Sequence, residues 1–149
     1  MQLTRYTDFS LRVLIHLAAH PDRLCSIAEI ARAYGISHNH LMKVVHELGK
    51  SGLVESVRGR SGGIRLARRP EAISVGKVVR RTEEHFDMAD CGNCVISPAC
   101  GLNVVLGQAV AAFLAVLDRH TLADLAQKQS RLARLLDAGP PPAATAGRS

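Results

Sequence analysis

The chain has 149 residues, room for one domain or a small domain with one extra element, and 47% are hydrophobic, so a core is available from Leu, Val, Ile and Ala although aromatics are only 3% and Trp is absent. The net charge of +6 is lopsided: residues 1–81 carry 14 Lys and Arg against 6 Asp and Glu, and residues 82–149 carry 5 against 7, a bias that favours a polyphosphate partner for the amino-terminal part. The polar start Met1–Asp8 argues against a secretory leader, and the longest nearly apolar stretch, Val104–Leu117 at 14 residues, is too short to cross a bilayer.

Asp8–Ala19 reads as a largely buried helix carrying Phe9, Leu11, Val13, Leu14, Ile15 and Leu17, broken by Pro21 and Asp22. Ser26 and Glu29 form a capping box that opens a second helix to about Tyr34, where Gly35 ends it by tolerating positive φ. Ser37 caps a third helix with Leu41, Val44, Val45 and Leu48 on its inner face, ending near 49–52. Residues 53–57 and 64–66 alternate as strands around the basic turn Arg58–Gly63. Ser74 opens a fourth helix to about Glu84 with Val75, Val78 and Val79 inward. Residues 85–100 have no period and hold three cysteines, so the order of this loop must come from something other than its own packing. A long helix follows over 101–118, with an apolar surface wider than one small domain needs to cover. Thr121 and Asp124 cap a short terminal helix, and the Gly/Pro/Ala-rich segment 137–149 is expected to be a disordered tail.

Two short helices joined at Gly35 and followed by a two-stranded ribbon make a winged helix-turn-helix, so the fold class is mainly α with a small β wing and a long extra helix. The divisions are 1–84 for the DNA-binding domain (helix-turn-helix about 26–49, wing 53–67), 85–100 for the cysteine loop and 101–136 for the long and terminal helices. The second helix of such a unit enters the major groove with its first residues, here Ser37, His38, Asn39, His40, Met42 and Lys43. Asn39 suits bidentate contact with adenine, and Lys43 reaches guanine or phosphate. Arg58 and Arg60 give the turn the charge of a minor-groove probe. Ser26 sits where a helix amino terminus meets phosphate; the plainer role for Ser26 and Ser37 is capping alone. No nucleophile elbow, phosphate loop or pair of catalytic acids occurs, so no enzymatic activity is expected.

In a reducing cytoplasm, the expected location, clustered cysteines point to metal or redox chemistry rather than structural disulfides. Cys91, Cys94 and Cys100 lie within ten residues, and soft thiolates suit an iron–sulphur cluster or zinc. Three ligands are one short of a closed site; His85 is the nearest candidate to complete a zinc tetrahedron. A thiol-only sensor with a Cys91–Cys94 disulfide is the third possibility. Cys25 reads as a small buried residue.

The strings Met1–Asp8, Val57-Arg-Gly-Arg-Ser-Gly-Gly-Ile-Arg-Leu66, Cys94-Val-Ile-Ser-Pro-Ala-Cys100 and Thr121–Leu125 together resemble the iron–sulphur winged-helix regulators, over about residues 1–136, and within that family its nitric-oxide-sensing repressors. The resemblance implies a cluster on Cys91, Cys94 and Cys100, a homodimer through residues 101–118, a palindromic operator and nitric oxide as the signal. It also implies a fourth ligand at Asp8, supplied by the partner subunit; an acid in a first helical turn is otherwise explained by the helix dipole. Only two residues separate Cys91 from Cys94, fewer than such regulators commonly have, and both 4Fe–4S and 2Fe–2S remain admissible.

Overall fold

A computed structural model describes residues 1–141. The amino-terminal helix α1 (Arg5–Ala19) begins three residues ahead of the expected start, because the Thr4 hydroxyl accepts from the Thr7 amide and caps it there. Its buried side chains Val13, Leu14 and Leu17 form the spine of the domain. Helix α3 (His38–Lys50) packs across it and α2 (Ile27–Tyr34) packs on α3, the two joined at Gly35 in left-handed conformation (φ 65°). The Ser26 hydroxyl accepts from the Glu29 amide. The reciprocal bond expected of a capping box is not made, since the Glu29 carboxylate is taken by Arg23 at 2.7 Å.

Strands β1 (Val54–Val57) and β2 (Gly63–Leu66) pair antiparallel, Val54 opposite Leu66 and Val57 opposite Gly63. Cys25 adds a short bridge to Ile64, exchanging both backbone hydrogen bonds (3.0 and 2.8 Å). The wing is thereby pinned to the segment that leads into α2. One core unites Leu14, Ile30, Leu41, Leu48, Val54, Ile64, Ile73, Val78 and Leu122. Each such side chain removed from water contributes about 1.5–3 kcal/mol.

After a 3-10 turn at Pro70–Ala72, helix α4 (Val75–Thr82) is capped by Ser74 and stops two residues short of the predicted end. The loop leads into α5 (Leu102–Asp118), and Arg119 and His120 join it to α6 (Leu122–Leu125), where Thr121 and Asp124 make both bonds of a capping box. The single terminal helix expected after Thr121 is two: α6 ends at Leu125, and α7 (Gln129–Ala138) returns to pack on α1 and α2. Asp137 and Ala138 therefore belong to a helix rather than the predicted tail, and Asp137 meets His20 on α1 at 3.1 Å. Residues 139–141 follow α7 without regular structure, and the rest of that tail, 142–149, lies outside the described residues.

A second, smaller core of Val75, Val79 and Leu114, with Leu11 and Phe113 against it, joins α4 to α5. Arg80 closes this joint by gripping the Asp118 carboxylate with both terminal guanidinium nitrogens, Nη1 and Nη2. A methyl group at Gly76 would lie 2.8 Å from the Asp118 backbone nitrogen. Gly76→Ala is therefore expected to destabilise the protein by about 1–3 kcal/mol through this clash, despite a helix-propensity gain of about 1 kcal/mol. Thermal unfolding checks it, at roughly 2–4 °C per kcal/mol; an unchanged or higher Tm would mean that α4 and α5 do not approach so closely.

Candidate DNA interface and metal centre

Helix α3 buries Leu41, Val44, Val45 and Leu48, at i, i+3, i+4 and i+7. That choice of inner face leaves Ser37, His38, Asn39, His40, Met42 and Lys43 exposed together at its amino-terminal end. Met42 is 48% exposed, and its apolar side chain is suited to contact with a thymine methyl. His40 is turned edge-on to the ring of Phe9, 5.4 Å between centroids, so it is braced by α1. Ser37 is a working cap, its hydroxyl accepting from the His40 amide at 3.5 Å, and Ser26, likewise exposed, caps α2. Both capping roles are therefore made, and both hydroxyls stay at the surface.

At the wing tip Arg58 and Arg60 are exposed, and among the described residues neither makes an ion pair, whereas Arg65 is tied to Glu55 across the strands. The tip is tight because a Cβ at Gly62 would fall 2.9 Å from the Gly59 carbonyl oxygen, which receives the Gly62 amide. Two unpaired guanidinium groups on a narrow turn are what a minor groove of negative potential attracts.

Between α4 and α5 the cysteine loop is built from consecutive tight turns: the Cys94 amide donates to the Cys91 carbonyl, Ser97 to Cys94, and Cys100 to Ile96. Cys91 and Cys100 are half-buried and Cys94 is exposed. Val95 is 93% and Ile96 59% exposed, so the loop has no core of its own. The start of α5 has no capping side chain; the Leu102 amide donates instead to Cys100 Sγ at 3.5 Å. An uncapped helix amino terminus directed at a sulphur favours the thiolate, and so favours an anionic sulphur-held group. A cavity of about 400 Å³ opens beside Cys91, lined by Phe86, Met88, Leu106 and Val110 among others. Three soft donors, a helix amino terminus and adjoining room fit an iron–sulphur cluster. No three of Cys91, Cys94, Cys100 and His85 lie within 4.8 Å of one another, so a single zinc ion would require the loop to draw closed around it.

Asp8 is half-exposed in the first turn of α1 and bonds Arg12 at 2.7 Å. Arg12 in turn stands over the Tyr34 ring, 5.7 Å to its centroid, and the Tyr34 hydroxyl donates to the Arg12 carbonyl; burial pushes that phenol up to about 12. Asp8 is thus not gathered with the cysteines of its own chain, and it is already engaged by a cation. Sequence reasoning missed Glu83: its carboxylate accepts from both the amide and the hydroxyl of Thr4, at 2.6 and 3.1 Å. This contact fastens the start of α1 to the end of α4, beside the loop, and no local signal marks a pair 79 positions apart. Cys25 is fully buried, as expected of a packed residue, and its thiol is pushed up to about 12 by burial and then by Glu29, which makes it unreactive as a nucleophile.

Helix α5 divides its apolar residues between two faces. Leu106, Val110, Phe113, Leu114 and Leu117 turn inward, while Leu102, Val105, Ala109, Ala112 and Val116, spaced 3, 4, 3 and 4, stay exposed. That spacing is a coiled-coil seam without a partner in one chain.

Comparison with known proteins places these features. The family model "Rrf2: Iron-dependent Transcriptional regulator" matches residues 3–128. The HTH-type transcriptional regulator NsrR of Bacillus subtilis is 54% identical over 142 residues, covering 91% of this chain and 97% of that protein. Its namesake in Bacillus licheniformis is 51% identical over 142 residues, covering 91% and 99%. Among solved structures, T. potens IscR superposes with a TM-score of 0.72 at 29% identity, covering 89% of this chain and 90% of that one. Its likeness, with the two-stranded antiparallel sheet beside packed helices, bears out the winged-helix fold class. Among the described residues no helix is long and apolar enough to cross a membrane.

Proposed function

The chain belongs to the Rrf2 family of iron-dependent transcriptional regulators, and from that premise we propose that it is a nitric-oxide-sensitive repressor that binds palindromic DNA as a homodimer in the cytoplasm. The observation that carries this reading is the position of the cysteine loop, between the helix that closes the winged domain and the one that exposes an unpartnered apolar seam. Anything that orders this loop acts on the joint between DNA reading and dimer formation.

Cys91, Cys94 and Cys100 would hold an iron–sulphur cluster, 4Fe–4S or 2Fe–2S, with Asp8 of the partner subunit as the fourth ligand. When bound, the group supplies iron open to attack by nitric oxide. A carboxylate is a harder ligand than a thiolate and is the more easily displaced. The role of Asp8 is to link one protomer's α1 to its partner's loop; its release from Arg12 is the conformational step the chain must make. Without that link α1, and through the Thr4–Glu83 contact the end of α4, would be free to move, and the two α3 helices would no longer keep the spacing of one DNA turn, roughly 34–36 Å.

In this reading His38, Asn39, His40, Met42 and Lys43 contact base edges and backbone in the major groove, while Ser26 and Ser37 lie against phosphates and Arg58 and Arg60 enter the minor groove. Arg60→Ala is expected to weaken operator binding by about 1–2 kcal/mol, most at sites with a narrow A·T minor groove. Binding isotherms on paired operators check it, and equal loss on every sequence would restrict Arg60 to phosphate contact.

The decisive experiment is anaerobic absorption with iron and sulphide analysis, before and after nitric oxide, alongside operator binding. Stoichiometric iron and sulphide with DNA release on nitrosylation is expected; unchanged DNA binding after nitrosylation overturns the reading. The iron dependence in the family description favours one sibling reading, a regulator responsive to iron or to cluster supply. DNA release on iron chelation without any response to nitric oxide would select it.

A further inference from the structure

Titratable groups outside both functional surfaces converge at one place. His16 and His20 stack on α1 with ring centroids 4.5 Å apart. With Cys25 they offer ligand atoms that all lie within 4.8 Å of one another, and all three residues are buried. The Nδ1 of His20 is 2.9 Å from the His16 carbonyl oxygen, an acceptor that requires the proton on Nδ1. In neutral His20 the lone pair is therefore on Nε2, which faces Asp137 Oδ1 at 3.1 Å. A lone pair opposite a carboxylate is repulsive unless a proton or a metal ion lies between them. His16 is similarly placed: one ring nitrogen faces Glu29 Oε1 at 3.4 Å, and Nδ1 is buried with no hydrogen-bond partner. A cavity of about 340 Å³, lined in part by His16, Arg23, Glu29 and Asp137, opens alongside.

We propose that His16, His20 and Cys25 form a binding site for a divalent metal ion of borderline softness, Zn²⁺ foremost, completed by Glu29 or Asp137. Two imidazoles, a thiolate and a carboxylate are a donor set that zinc takes in tetrahedral geometry. Zn–N near 2.0–2.1 Å and Zn–S near 2.3 Å place ligand atoms roughly 3.3–3.8 Å apart, so the three residues need to shift by no more than about an ångström. The bond from His20 Nδ1–H to the His16 carbonyl is the outer contact that fixes a ligating imidazole's tautomer. Coordination replaces the Cys25 thiol proton, which leaves to solvent, so affinity rises with pH. Arg23, 2.7 Å from Glu29 and 3.6 Å from Cys25 Sγ, holds the mouth of the site as a counter-cation. Its side chain is 46% exposed and free to withdraw. A metal here ties α1, the segment entering α2, and the end of α7 at one point. DNA reading then gains a dependence on metal separate from the cysteine loop.

The test uses Co²⁺ as probe on the full chain with Cys91, Cys94 and Cys100 all changed to alanine, which removes competing thiols from an exposed loop. One equivalent of Co²⁺ with a sulphur-to-cobalt charge-transfer band and intense tetrahedral ligand-field bands is expected, displaced by Zn²⁺. In that background Cys25→Ser should remove the charge-transfer band, and His20→Gln should weaken binding at least tenfold. Absence of Co²⁺ binding, or survival of the band in Cys25→Ser, overturns the proposal. Should Cys25→Ser fail to fold by circular dichroism, His20→Gln decides: an unchanged affinity overturns it.

Discussion

Cys94→Ala protein purified without oxygen is expected to be colourless, with iron and sulphide reduced to background, and yet to melt and elute as the native chain does. Cys94 is exposed and touches no core residue, so the fold loses nothing when its sulphur is removed. A cluster on the loop would lose one of its three thiolates, and the remaining cysteine, Cys25, is buried in the main core and not in the loop. Operator affinity should fall at least tenfold, about 1.4 kcal/mol, to a level that nitric oxide no longer alters. Absorption, iron and sulphide analysis, thermal melting and operator titration check each part. Global unfolding of Cys94→Ala would instead mark the metal as a structural staple, and retained colour would exclude Cys94 as a ligand.

In the proposed dimer, Val105→Glu is expected to separate the two copies and to cut operator affinity by about 10²- to 10³-fold, the loss that follows when two half-site contacts cease to be intramolecular. Val105 is 60% exposed within the Leu102, Val105, Ala109, Ala112, Val116 seam, and it is not part of the chain's own core. A carboxylate there costs the monomer little. In a two-fold interface it places two like charges against apolar surface, where burial of unpaired charge is strongly unfavourable. Light scattering coupled to size exclusion, with operator titration, measures both effects. A Val105→Glu dimer that still binds its operator would show that the seam is not where two copies meet.

Both outcomes depend on different kinds of information in the chain. The caps at Ser26, Ser37, Ser74 and Thr121 were legible as written, since a cap is a contract between residues three apart. The inner face of α3 and the alternation of the wing were equally plain, because they follow from the period of helix and strand. That Cys91, Cys94 and Cys100 share one short loop was legible for a simpler reason: their proximity is set by the chain itself, whatever the fold around them. The misplaced boundaries have local causes as well. Thr4 outcompetes the acid at Asp8 as the start of α1, and Glu29 abandons its own helix for Arg23.

What the linear order of residues determined, then, is the winged helix-turn-helix, its exposed reading face and the existence of a sulphur-rich loop. Which apolar residues of α5 turn inward and which form the seam was decided only when α4 packed against it. Tertiary structure alone joined Thr4 to Glu83 and His20 to Asp137, the latter pair 117 positions apart, and brought His16, His20 and Cys25 to one point. Hydrogen bonds and ligand sets act over a few ångströms, whereas the patterns readable in a sequence extend over a few residues. Where the chain returns on itself these two ranges separate, and only the packed core brings such groups together.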